Sequence, residues 1–133
     1  MRYAPCWKQI GISVDRYNEL LNFCRQYQER KAEANSLLGI RALNMDGQPR
    51  GNNISNPVAA AAEKREKLLA KIAIVEECAN AVCGGKWTAA IIQNVCEGRA
   101  YDKMDFEVMP TSDRNAYFKV RREFFELLNM KRD

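Results

Sequence analysis

"NPVAAAAEKREKLLAKIAIVEECANAVCGG", residues 56–85, is the stretch whose reading decides the fold class. Asn56 offers a side-chain acceptor to the unpaired amides of a helix start. Pro57 takes the first helical position, where its missing N–H has no partner to lose. Val58, Ala61, Leu68, Ile72, Val75, Ala79 and Val82 then follow helical spacing, interrupted by Arg65. Gly84 ends the pattern. The spacing predicts a helix over 57–83, roughly 40 Å long at 1.5 Å per residue. A helix of that length in a chain of 133 residues is expected to lie against another long helix, from its own chain or from a second copy. A homodimer through the 57–83 helix is therefore expected, with Arg65 setting the register of the seam.

The flanking segments are helical as well. In "SVDRYNELLNFCRQYQERKAEANSLLG", Ser13 is the expected N-cap and Asp15 suits the positive end of the helix dipole. Tyr17, Leu20, Leu21, Cys24, Tyr27, Leu37 and Leu38 fall close to helical spacing, and Gly39 can end the run. One helix over about 14–38 is expected. Ahead of it, Trp7, Ile10 and Ile12 read as an apolar staple packing back onto the capped helix. "ALNMDGQPRGNNISN" carries two Gly, a Pro and several Asn, so residues 39–56 read as a loop. "KWTAAIIQNVCEG" reads as three turns of helix closed by Gly98, and "RAYDKMDF" as a further turn or two. Pro110 breaks the chain at Met109. Ser112 is then the expected cap of "DRNAYFKVRREFFELLNMK", with Ala116, Tyr117, Val120, Phe124, Leu127 and Leu128 on one stripe. No period-2 strand pattern is found. The expected fold is all-α: a single small helical bundle with one long central helix and a C-terminal helix-turn-helix-like segment over 86–133.

Composition narrows the functional classes. The chain is 47% apolar and 29% charged, which supports a packed core and argues against global disorder. Its net charge of +4 is mildly basic. Residues 99–133 hold eight Lys/Arg against seven Asp/Glu, so a nucleic-acid face there must come from local segregation of charge. There is no histidine, and the five cysteines include no C-x-x-C pair. A zinc site, a cysteine nucleophile with its usual base, and a phosphate-binding Gly-rich loop all lack their residues, "CGGKW" having the wrong spacing for the last. The expectation is a non-enzyme without cofactor or metal. With neither a signal peptide's apolar run nor about 18 consecutive apolar residues, a cytoplasmic protein without a membrane partner is expected.

The C-terminal helix mixes apolar, basic and amide side chains. With Tyr117, Val120, Phe124 and Leu128 inward, Arg114, Asn115, Phe118, Lys119 and Arg122 are left facing outward. Arg and Lys can bond phosphates or guanine, and Asn suits adenine. These five residues are the candidate nucleic-acid or partner-binding site. The pattern "GRAYDKM…MPTSDRNAYFKVRREFFELL", about 35 residues, resembles the C-terminal part of the ArpU-type and RinA-type late-gene activators of prophages and mobile elements in Gram-positive bacteria. Their C-terminal segment is similar to the helix-turn-helix of sigma-factor region 4. The resemblance implies a bracing helix over Arg99–Phe106 and a recognition helix over 113–130. It implies that Ser112, Arg114, Asn115, Phe118, Lys119 and Arg122 face double-stranded DNA, with Arg121 and Phe124 nearer the core. Asp113 departs from that pattern by placing negative charge where a phosphate would sit. The alternative is a protein-binding module that engages a host or phage protein, as a terminase small-subunit-like adaptor or an inhibitor of a host defence nuclease.

Overall fold

The computed structural model describes residues 6–43, 57–111 and 113–132. The caps expected at Asn56 and Ser112, and positions 44–56 of the expected loop, lie outside the described residues. What is described is all-α, with no strand: α1 (Cys6–Gln9), α2 (Val14–Arg25), α3 (Tyr27–Leu43), α4 (Pro57–Ala81), α5 (Thr88–Ile91) and α6 (Arg114–Lys131). The expected longest helix is α4 at 25 residues. It ends in a 3-10 turn, Val82–Gly85, where Gly84 and Gly85 take positive φ. None of the described helices is long and apolar enough to cross a membrane.

The chain forms two compact units, one of residues 1–27 with 74–133 and one of 28–73. In the smaller unit Ala34, Leu37, Ala61 and Ile72 are buried. Arg65, expected as a register residue in a seam between copies, donates Nε to the Ala34 carbonyl of its own chain at 3.3 Å. Lys64 pairs with Glu33 at 2.8 Å. In the larger unit Val75, Ala79 and Val82 are also buried, so most of the α4 seam is covered within one chain; Leu69, in the smaller unit, is exposed.

The larger unit has its core among α2, the end of α4, α5 and α6. Leu20, Cys24, Val75, Ile91, Val95, Tyr117, Phe124, Phe125 and Leu128 are fully covered. Ser13 caps α2 as expected, accepting from the Arg16 N–H at 3.1 Å. The inward stripe of α6 is Tyr117, Val120, Phe124 and Leu128, as the spacing predicts, and Phe125 joins it through its ring contact with Tyr17 at 4.9 Å.

Three expectations are corrected. The single helix over 14–38 is two helices, broken at Gln26 (φ −87°, ψ 1°). Tertiary hydrogen bonds pin both neighbours of that residue: Arg25 Nε donates to the Val95 carbonyl at 2.8 Å, and the Tyr27 hydroxyl to Glu76 at 2.7 Å. The helix also continues through Gly39 to Leu43; a mid-helix glycine costs only about 1 kcal/mol, and good helix formers follow it. The three turns after Trp87 are α5 followed by a π-helical turn, Ile92–Cys96.

The third correction concerns Arg99–Phe106, expected as a bracing helix. It holds one 3-10 turn, Tyr101–Lys103, and a second, Phe106–Val108, begins at its last residue. Side chains take over the backbone partners that a helix would need. Gln93 Oε1 accepts from the Asp105 amide at 3.3 Å, and Asn94 Nδ2 donates to the Arg99 carbonyl at 2.8 Å. Met104 lies between the turns in extended backbone with its side chain buried.

The core makes a pH prediction. Burial pushes the Tyr117 phenol well above its ordinary value, against an opposing pull from Arg121. The neutral phenol is the form that fits, so its contribution is complete below the unfolded value of about 10 and is lost as pH rises through the folded one. Urea midpoints should therefore fall above pH ~10. In Tyr117→Phe that fall should be shallower, with a loss of about 1 kcal/mol at neutral pH from the missing hydrogen bond.

Candidate functional site

The start of α6 is capped by Asp113, whose carboxylate accepts from the Asn115 N–H at 3.0 Å. The negative charge that departs from the expected pattern thus has a local task, since carboxylates satisfy amides at a helix start and suit its dipole. Beyond the cap, Arg114, Asn115, Phe118 and Lys119 are exposed, as the spacing predicts. Arg122 is half-buried rather than exposed, because its guanidinium donates to the Gln9 carboxamide of α1.

The five expected residues come together. Arg114, Asn115, Phe118, Lys119 and Arg122 line one concave groove of about 650 Å³, joined by Arg121 and by Cys6 and Gln9 of α1. Four of these lining residues are cationic and none is acidic. Lys119, Arg121 and Arg122 form no ion pair with an acid among the described residues. Arg114 reaches Asp102 at 3.4 Å across an exposed gap, a pair of little energetic weight.

Arg121 is the most firmly held of the cations. Its Nε donates to Asn94 Oδ1 at 3.0 Å and its Nη2 to the Tyr17 hydroxyl at 2.7 Å. Its guanidinium lies 4.9 Å from the centre of the Phe125 ring. The same Asn94 oxygen accepts from the Tyr117 hydroxyl at 2.7 Å. At the other end of the groove, Arg114 sits 5.1 Å from the ring centres of both Tyr101 and Phe118. Those two rings are 5.7 Å apart. The arrangement supplies several cations for oxyanions, an amide for a base edge, and one partly exposed aromatic ring with a guanidinium over it.

Sequence spacing does not reveal α1, four residues too short to carry a period, nor the arrival of Gln9 and Cys6 beside α6. The signal present was the run of Trp7 and Ile10 before the Ser13 cap, which fixes only that the segment packs back. Arg121 was placed toward the core, and it lines the groove from that side. The chain matches no protein-family model, no curated protein and no solved structure.

Burial raises the Cys6 thiol above its ordinary value, although Arg121 and Arg122 pull it down. It stays protonated at neutral pH, the wrong form for a nucleophile. Alkylation of Cys6 by iodoacetamide, followed by peptide mass mapping, should keep accelerating as pH rises through ~8.5, the ordinary thiol value, without levelling off. A rate plateau at pH 7 would show an activated thiolate.

Proposed function

We propose that this chain is a DNA-binding protein, a transcription regulator of the kind encoded by prophages and mobile elements, acting without catalysis of its own. The carrying observation is the convergence of Arg114, Lys119, Arg121 and Arg122 with Asn115 and Phe118 on one groove without an acidic lining residue. Cations segregated in this way provide a local positive field on a chain whose net charge is only +4. The resemblance of the α6 segment to late-gene activators supports the same reading. Docking would rest on α6 and its groove, since no bracing helix precedes α6 among the described residues. The thiol in the groove is held protonated and the chain has no histidine, which favours a binding role over acid–base chemistry.

A protein partner, in the manner of an adaptor or nuclease inhibitor, is the second reading. Its support is Phe118, 38% exposed beside Tyr101, since aromatic anchors dominate protein interfaces. Self-association along α4 would rest on Leu69 and the half-covered Leu68, because the other apolar seam positions from Ile72 to Val82 are buried in one chain.

One alanine series at two salt concentrations separates the readings. With DNA as target, Lys119→Ala and Arg122→Ala should weaken binding to every sequence and reduce the salt slope by about one unit each. Arg114→Ala or Asn115→Ala should reduce discrimination between sequences, by about 1–3 kcal/mol for a bidentate base contact. With a protein as target, Phe118→Ala should be the costly change and salt should matter little. No effect from any of the five would reject both readings.

A further inference from the structure

We propose that the Arg114 end of the groove is a stacking subsite for an unpaired base, so that the preferred target is DNA with locally separated strands rather than fully paired duplex. The inference rests on the nucleic-acid reading above and names the form of nucleic acid.

Shape is the first argument. A helix that reads a duplex must project into a major groove about 12 Å wide and 8.5 Å deep. The outer face of the N-terminal half of α6 is instead one wall of a concavity shared with α1, closed along one side by the Arg122–Gln9 hydrogen bond. A concave, cation-lined channel follows a single strand more readily than it enters a duplex.

Chemistry is the second. The Phe118 ring is 38% exposed, against a buried Tyr117 and a half-buried Tyr101. Phe118 stands 5.4 Å from Tyr117 and 5.7 Å from Tyr101. Arg114 lies 5.1 Å from both the Tyr101 and Phe118 ring centres. The partly exposed Phe118 ring is therefore backed by Tyr117 and Tyr101 and carries the Arg114 guanidinium over it, a cation–aromatic layer against which a base can stack. Every base has a π-face, but in a paired duplex those faces are covered by neighbouring bases. Only an unstacked base offers one to Phe118. Lys119 and Arg122, one and four residues further along α6, are placed for the phosphates of the same strand.

Charge complementarity is the third. Four cationic lining residues and no acidic one favour a polyanion.

The test is fluorescence anisotropy at low and moderate salt with three labelled 20-nucleotide probes: a single strand, a perfect duplex, and a duplex with a central unpaired bubble. A fourth probe, the single strand with abasic positions, keeps the phosphates and removes the bases. The single strand and the bubble should bind at least tenfold more tightly than the perfect duplex, and abasic substitution should remove the advantage. Phe118→Ala should weaken the single strand by about 5- to 150-fold, the range that base–aromatic stacking supplies, and weaken the perfect duplex by a smaller factor. Phe118→Leu, which keeps apolar bulk without a ring, should behave like the alanine variant. Circular dichroism should show both variants folded, since the side chain lies at the surface. Equal affinity for perfect duplex and bubble, or equal affinity for abasic and normal strands, would overturn the stacking subsite and leave DNA binding standing. Absence of binding to all four probes at low salt would overturn both.

Discussion

The carboxamide of Asn94 sets the position of α6, and with it the groove. Its oxygen accepts from the Tyr117 hydroxyl at 2.7 Å and from Arg121 Nε at 3.0 Å, two residues one turn apart on α6. Two acceptances by one atom fix both the height and the rotation of the helix. At about 100° per residue, with Tyr117 held inward, Arg114, Phe118 and Arg122 fall together on one outer flank. Each bond contributes on the order of 1 kcal/mol, more where the guanidinium is the donor. Their larger role is to specify one rotation of an amphipathic helix whose apolar stripe alone would tolerate some slippage.

Asn94 can do this because it sits in the π-helical turn Ile92–Cys96. A widened turn shifts side chains relative to α-helical register, and such turns often accompany functional positions. The turn is closed by Gly98 at φ 74°, with the Arg99 amide returning to the Gln93 carbonyl at 3.0 Å. A Cβ at position 98 would stand 2.8 Å from Arg25 Nη1, and Arg25 is the residue that anchors α2 to the Val95 carbonyl at 2.8 Å. Glycine here thus permits both the backbone turn and the close seating of α2. The C-terminal half of α6 is covered by α2 through Tyr17 against Phe125 and Arg16 Nε to Asn129 Oδ1 at 2.7 Å. The N-terminal half is left open on the same flank, and α1 walls the opening.

These particulars explain which features could be read from sequence. The all-α class, α4 and the inward stripe of α6 were legible because each rests on many residues repeating one period. The break at Gln26 was not, since Arg-Gln-Tyr-Gln is acceptable helix sequence and the break is fixed by bonds to Val95 and Glu76, 70 and 49 residues away. The bracing helix failed for a related reason. The residues of 99–106 permit helix, and side chains of Gln93 and Asn94 claim their backbone instead. At the groove, the five outward residues follow from geometry once the stripe is known. Gln9, Cys6 and Asn94 come from segments whose placement is purely tertiary, so no local pattern announces them.

The position of Asp113 completes the electrostatic picture. A helix start commonly attracts an anion through free amides and the dipole, but here the carboxylate bonded to the Asn115 amide occupies that role. A second negative group would meet repulsion there. The attractive field is thereby displaced along the helix, toward Lys119, Arg121 and Arg122, none of which forms an ion pair with an acid among the described residues. An incoming polyanion is drawn to the middle of α6 and turned away from its tip. That orientation runs its chain past Phe118 rather than end-on to the helix, the geometry of a strand lying in a groove.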